Sequence, residues 1–193
     1  MAAIRSFIAI ELPAELQKSL QTVHDHLFEE LKGLPIRWVP IPNIHITLKF
    51  LGDVSENNIP MINEIIQKAA SNSKPLDITA GGFGIFPNVT RPRVIWVGIK
   101  APEELFKLQA RTEIETSKMG YSPDQRKFNP HLTMGRVSRN ATIQEIRTAS
   151  NIFRKQKFGF IGAAKINSIS LYQSKLSPKG AIYKKLFTAN LGS

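Results

Sequence analysis

Residues 44–51 read IHITLKFL and residues 131–137 read HLTMGRV, and these two stretches decide the fold. Each is a short apolar run in which a histidine is followed two positions later by a threonine. Side chains alternate between the two faces of a strand. His45 and Thr47 therefore share one face, with Ile44, Ile46 and Leu48 on the other. His131 and Thr133 stand in the same way against Leu132 and Met134. Each strand is expected to bury its aliphatic face against helices and to offer an imidazole and a hydroxyl on its open face.

Outward from these strands the same order of elements appears twice. Residues 5–12 (RSFIAIEL) form a short apolar run of buried-strand character. Pro13 opens a helix with Leu16, Leu20, Val23, Leu27, Leu31 and Leu34 spaced three or four apart. A proline-rich turn (PIRWVPIPN) leads into the first His strand, and Ser55 is placed to cap the next helix. An alternating strand from Leu76 is expected to end in a glycine-rich loop, GGFGIFPN. The second half restarts at VIWVGI (94–99). Pro102 opens a helix to about Lys118, and a loop (GYSPDQRKFNP) leads to the second His strand. Thr142 and Glu145 form a capping-box pattern. Residues 158–174 and 181–191, parted by the turn signal SPKG, complete the chain as strands.

From Arg5 to Val94 is 89 positions, and from His45 to His131 is 86. Similar offsets at two landmarks imply an internal duplication of about ninety residues. The chain is accordingly expected to be one two-lobed domain over 1–193, with repeats near 5–90 and 91–193. The class is α+β: two antiparallel sheets related by a pseudo-two-fold axis line a central groove, with helices outside.

The 193 residues, 42% hydrophobic and 21% charged, are enough to bury a core without a metal or disulfide. There are no cysteines, which excludes disulfides, thiolate zinc sites and a cysteine nucleophile and fits a reducing cytoplasm. Arg5 and Glu11 interrupt the apolar N-terminal stretch, so neither a signal peptide nor a membrane span is expected. Twenty-six Lys and Arg against 15 Asp and Glu give a net charge of +11, which favours polyanions, nucleic acid first.

Two His-x-Thr strands brought together would hold two imidazoles and two hydroxyls around one phosphate. The hydroxyls donate to its non-bridging oxygens. A neutral ring takes a proton from water while a cationic ring gives one to the departing oxygen. This scheme needs no metal or cofactor, and neither motif supplies a carboxylate or second histidine to complete a metal site. The two other histidines, His24 and His26, lie two apart on the first helix and are assigned no catalytic part.

The paired motifs resemble the duplicated H-x-T signature of the two-histidine phosphoesterase superfamily. The segments RSFIAIELP, HITLKFLGDV, GFGIFPNVTRPRVIWVG and FNPHLTMGRV are similar to the RNA 2′,3′-cyclic phosphodiesterases, also called the 2′-5′ RNA ligase family. Met134 departs from the usual Leu, a volume-conserving change. The resemblance implies metal-independent hydrolysis of RNA 2′,3′-cyclic phosphate ends to 2′-phosphomonoesters, with reversible 2′-5′ ligation seen in the family. It implies His45 as proton donor and His131 as proton acceptor, with Arg136 as a further phosphate contact. Strict alternation would put Arg136 on the face opposite His131, so that it must reach round the strand's end. Phe7 either stacks on a base or belongs to the core, and Arg91 and Arg93 either grip phosphates or are solvated. The implied partner is RNA with cyclic phosphate ends, such as tRNA fragments, met in the cytoplasm by a monomer without membrane contact. The competing readings are an RNA-binding module without turnover, a 2′-5′ oligonucleotide phosphodiesterase and an ADP-ribose cyclic phosphate hydrolase.

Overall fold

The computed structural model describes residues 3–177 and 180–192, so that part of the turn signal SPKG lies outside the described residues. Nine strands form two antiparallel sheets among the described residues. The first sheet has the order β3-β1-β8-β9 and joins β1 (Ala3–Glu11), β3 (His45–Ser55), β8 (Ser168–Ser177) and β9 (Gly180–Asn190). The second has the order β2-β6-β5-β4-β7. It joins β2 (Ile36–Trp38), β4 (Leu76–Phe86), β5 (Val94–Lys100), β6 (His131–Val137) and β7 (Phe160–Ile166).

The halves interlock. The strand that ends the first half, β4, pairs with β5 in the second sheet, whereas β8 from the second half pairs with β1 in the first. Helices cross in the same manner. α1 (Ala14–Glu30) packs on β7 of the second sheet, while α3 (Glu103–Ser117) packs on β3 of the first. α2 (Ile59–Ser71) lies on β8 and β9, and α4 (Ile143–Lys155) sets Phe153 against Phe83 of β4. Leu16, Leu20, Val23, Leu27 and Leu31 are all buried, as their spacing requires. So are Ile46, Leu48, Leu132 and Met134, the aliphatic faces of the two His strands. Each such side chain contributes roughly 1.5–3 kcal/mol by leaving water. The Thr142–Glu145 capping box starts α4 with both of its reciprocal bonds.

Several expected boundaries move, each for a local reason. The segment taken as a proline-rich turn contains the edge strand β2. Pro35 and Pro40 flank it, outside the three paired residues, so neither removes a ladder bond. Ser55 does not cap α2. Glu56–Asn58 first turns as a 3₁₀ helix, and the α-helix begins at Ile59 with Pro60 in its first turn, where a missing N–H costs nothing. The glycine-rich stretch after Leu76 is strand rather than loop. A Cβ on Gly84 would lie 2.0 Å from the Trp96 ring of β5, so glycine there admits an indole instead of making a turn. Residues 158–174 break at Asn167 into the ends of β7 and β8, which belong to different sheets.

Candidate active site

His45 and His131 are each the first residue of their strand. In both, Nδ1 is tied to the backbone carbonyl two residues earlier: Asn43 O at 2.7 Å and Asn129 O at 2.8 Å. A carbonyl only accepts, so Nδ1 carries the hydrogen and the Nε2 lone pair is left unengaged by that bond. β3 and β6 have Cα atoms within 8 Å of one another, and the charge of His131 is felt at His45. Thr47 and Thr133 are half-buried on the same faces as the imidazoles, and among the described residues neither hydroxyl has a hydrogen-bond partner.

Beyond each threonine the strand bulges, at matched positions. Thr47 faces Ala9 and Lys49 faces Ile8, leaving Leu48 extra; Thr133 faces Trp96 and Gly135 faces Ile95, leaving Met134 extra. A bulge inserts one residue and reverses the parity of the residues beyond it. Lys49, which alternation would place beside His45, is instead 3% exposed and points to α3. Its Nζ donates to Glu113 Oε2 and to Ser122 O, both at 2.6 Å. Phe50, which alternation would bury, is 60% exposed beside Phe7. By the same reversal Arg136 stands on the face of His131, and its charge is felt by both imidazoles. The expectation that Arg136 must reach round the strand's end is corrected by the bulge.

Of the two readings open for Phe7, the core one fits its surroundings. Phe7 is 3% exposed, flanked by the His45 ring on the β3 side at 4.7 Å and by Tyr172 on the β8 side at 5.3 Å. Tyr183 from β9 meets it edge-on. No face is left for a base, and Phe7 acts as the wall that fixes the His45 ring. Tyr183 also meets His45 edge-on at 5.4 Å. Beside this wall a cavity of about 200 Å³ is lined by His45, Tyr172, Tyr183, Glu11 and Lys185, and Lys185 donates to the Glu11 carboxylate. The second imidazole is braced more lightly, by Phe86 at 5.1 Å and Trp96 at 6.3 Å, both edge-on.

The two rings differ electrostatically. Burial, reinforced by the positive charges of Arg136 and His131, pushes His45 down to about 4 against the opposing bond to Asn43. His131 is lowered as well, by burial first and then by Arg136, against its bond to Asn129. Without substrate both rings are therefore neutral at pH 7, each poised to accept a proton. Tyr172 is pushed up to about 12 by burial and the neighbouring Glu11.

The remaining candidates are engaged elsewhere. His24 packs against Trp38 and His26 meets Gln156 and Phe158, on the helix side of the second sheet. Arg93 donates to Ser138 O at 2.9 Å. Among the described residues no three His, Cys, Asp or Glu side chains converge as a metal site would need. No helix among them is long and apolar enough to cross a membrane. Asn43 and Asn129 were readable in the sequence, since Asn-x-His recurs at the 86-residue offset of the histidines. Tyr172 and Tyr183 had no such signal, because β8 and β9 reach the site only through the crossed topology.

A family model for LigT-like phosphoesterases matches residues 10–96 and again residues 97–183. The RNA 2′,3′-cyclic phosphodiesterase of Methanothermobacter thermautotrophicus is 32% identical over 184 residues, covering 93% of this chain and 95% of its own. Its namesake from Aeropyrum pernix is 35% identical over 163 residues, covering 83% and 89%. Among solved structures, a Thermus thermophilus protein superposes with a TM-score of 0.81 at 23% identity, over 98% of both chains. Escherichia coli LigT complexed with 3′-AMP gives 0.77 at 24% identity, over the whole of both. At such identities the two superpositions show a shared fold.

Proposed function

The chain belongs to the LigT-like phosphoesterase family, and on that premise we propose that its groove hydrolyses the 2′,3′-cyclic phosphate ends of RNA to 2′-phosphomonoesters. The observation that carries this reading is the matched pair of Asn-x-His-x-Thr strands, each with Nδ1 held by a carbonyl and Nε2 left to act. The names of the curated relatives support the substrate, and the charge of +11 suits it.

The cyclic phosphate sits between the two imidazoles, with Thr47, Thr133 and Arg136 on its non-bridging oxygens. His131 takes a proton from water as the water oxygen attacks phosphorus. The bond from phosphorus to the 3′ oxygen breaks, and His45 gives its proton to that oxygen. The products are a 2′-phosphate and a 3′-hydroxyl. His45 is neutral before substrate binds, so the substrate itself must charge it. An anionic phosphate favours the imidazolium, and by pairing with Arg136 it cancels the guanidinium's repulsion. Replacing water by a 5′-hydroxyl yields a 2′-5′ bond, so ligation is the same step with another nucleophile. Since both imidazoles come from one chain, a monomer suffices. We also infer that the halves descend from one duplicated unit, an inference supported by histidines, asparagines, threonines and bulges that all recur at one offset.

The test is to incubate the protein, in EDTA, with an oligonucleotide ending in a 2′,3′-cyclic phosphate and to assign the product by phosphorus NMR. A 2′-phosphate is expected. A 3′-phosphate would reverse the chemistry at the two ester oxygens, and an unchanged substrate would point to a binding module.

A further inference from the structure

Arg37 has no task in the chemistry above, yet it faces the groove. It lies in β2, directly opposite Arg136 of β6, and cross-strand partners point to the same side of a sheet. Its neighbours confirm the side. Ile36 and Trp38 lie 3.1 Å from where a Cβ on the buried Gly135 would stand, and Trp38 continues onto His24 and Phe28 of α1. They cover the helix face, which leaves Arg37 on the other.

Arg37 and Arg136 are both exposed, and among the described residues neither has an ion-pair partner. Like charges directly opposite each other weaken a strand pair. Two unpaired guanidiniums held side by side in a phosphoesterase groove therefore call for an anion, and planar guanidinium forks match phosphate oxygens. The two charges are also ordered along the groove. The field of Arg136 reaches His45, His131 and Tyr183, whereas that of Arg37 registers at Tyr183, on the opposite sheet. Arg37 thus stands one step further out from the imidazoles.

We propose that Arg37, beside Arg136, seats a second phosphate of the substrate: the 5′ phosphate of the nucleotide whose ribose carries the cyclic phosphate. The site would then measure a strand end and not merely a cyclic ester, favouring an RNA terminus over a free nucleoside cyclic phosphate. This rests on the reading of the groove as the phosphoesterase site. It concerns Arg37 and the 5′ phosphate, neither of which takes part in the proton transfers.

Titration calorimetry with two stable product analogues, adenosine 2′-monophosphate and adenosine 2′,5′-bisphosphate, isolates the second phosphate. The wild-type protein should bind the bisphosphate roughly tenfold or more tightly, the size of one charged hydrogen-bonded contact. Arg37→Gln should reduce that preference to less than about twofold, as expected when the one contact that made it is gone. Arg147→Gln removes one positive charge from the outer helix α4 and should keep the preference. A preference that survives Arg37→Gln, is absent from the wild type, or falls equally in both variants would overturn the proposal. Hydrolysis of the cyclic phosphate by the wild type is scored separately. Its failure would remove the phosphoesterase reading and leave the binding result on Arg37 standing.

Discussion

The two His strands share a backbone and differ in what surrounds it. Both begin with an imidazole pinned by an Asn carbonyl, carry a threonine two residues on, and bulge after it. Around β3 the neighbours are aromatic: Phe7 and Tyr183 press on His45, Tyr172 backs Phe7 from its other side, and Phe50 stands just past the bulge. Around β6 the packing is looser, and the cation Arg136 stands just past the bulge. One half thus supplies a half-buried, more tightly enclosed ring with its pKa near 4 and an apolar wall, and the other a more lightly braced ring and a cation. A recurring frame fixes geometry, and the unequal surroundings would let two identical side chains take the opposite parts proposed for them.

The strongest way to break this comparison is to remove either ring. His45→Ala and His131→Ala should each lower kcat on a cyclic-phosphate-ended oligonucleotide by about 10²–10⁴-fold while circular dichroism stays unchanged. Near-wild-type turnover in either variant would end the two-histidine account. Next in size is the cation. Arg136→Ala should cost roughly ten- to hundredfold in kcat/KM, and by removing a positive charge it should raise the pKa of both rings. A loss of rate with no upward shift, followed by NMR of the imidazoles, would show that Arg136 is remote from them. Smaller still, Thr47→Val and Thr133→Val should each cost about tenfold, since each removes one donor to a charged oxygen. The smallest effect is on stability. An unfolded histidine titrates near 6.5, and folded His45 near 4. Between those values the unfolded chain binds the extra proton, so stability falls as pH drops through the window. His45→Gln should flatten that slope in thermal melts, and an unaltered slope would mean that another group causes it.

Much of this was legible in the sequence because it depends on local periodicity. The aliphatic faces of the His strands, the leucine spacing of α1 and the Thr142–Glu145 box are properties of a few adjacent residues. What period-two alternation cannot supply is a bulge. Lys49, Phe50 and Arg136 all come after one, and each stands on the face opposite to its parity. Nor does it reveal partners brought by topology. Tyr172 and Tyr183 come from strands more than 120 residues beyond His45, and Arg37 lies in a three-residue strand hidden between prolines. Phe7 sits on the expected strand, but only its neighbours reveal that both of its faces are taken.

The most direct test of opposite parts for two like rings is the pH dependence of kcat/KM in the wild type and in the residual activity of each single variant. The wild type should be bell-shaped, with both limbs below about 6.5, because both rings titrate low in the free protein. With His131→Ala only the donor remains, and the rate should fall as pH rises. With His45→Ala only the acceptor remains, and the rate should rise with pH to a plateau. Opposite slopes would bear out His45 as donor and His131 as acceptor. Slopes of the same sign, or flat profiles in both variants, would contradict the account.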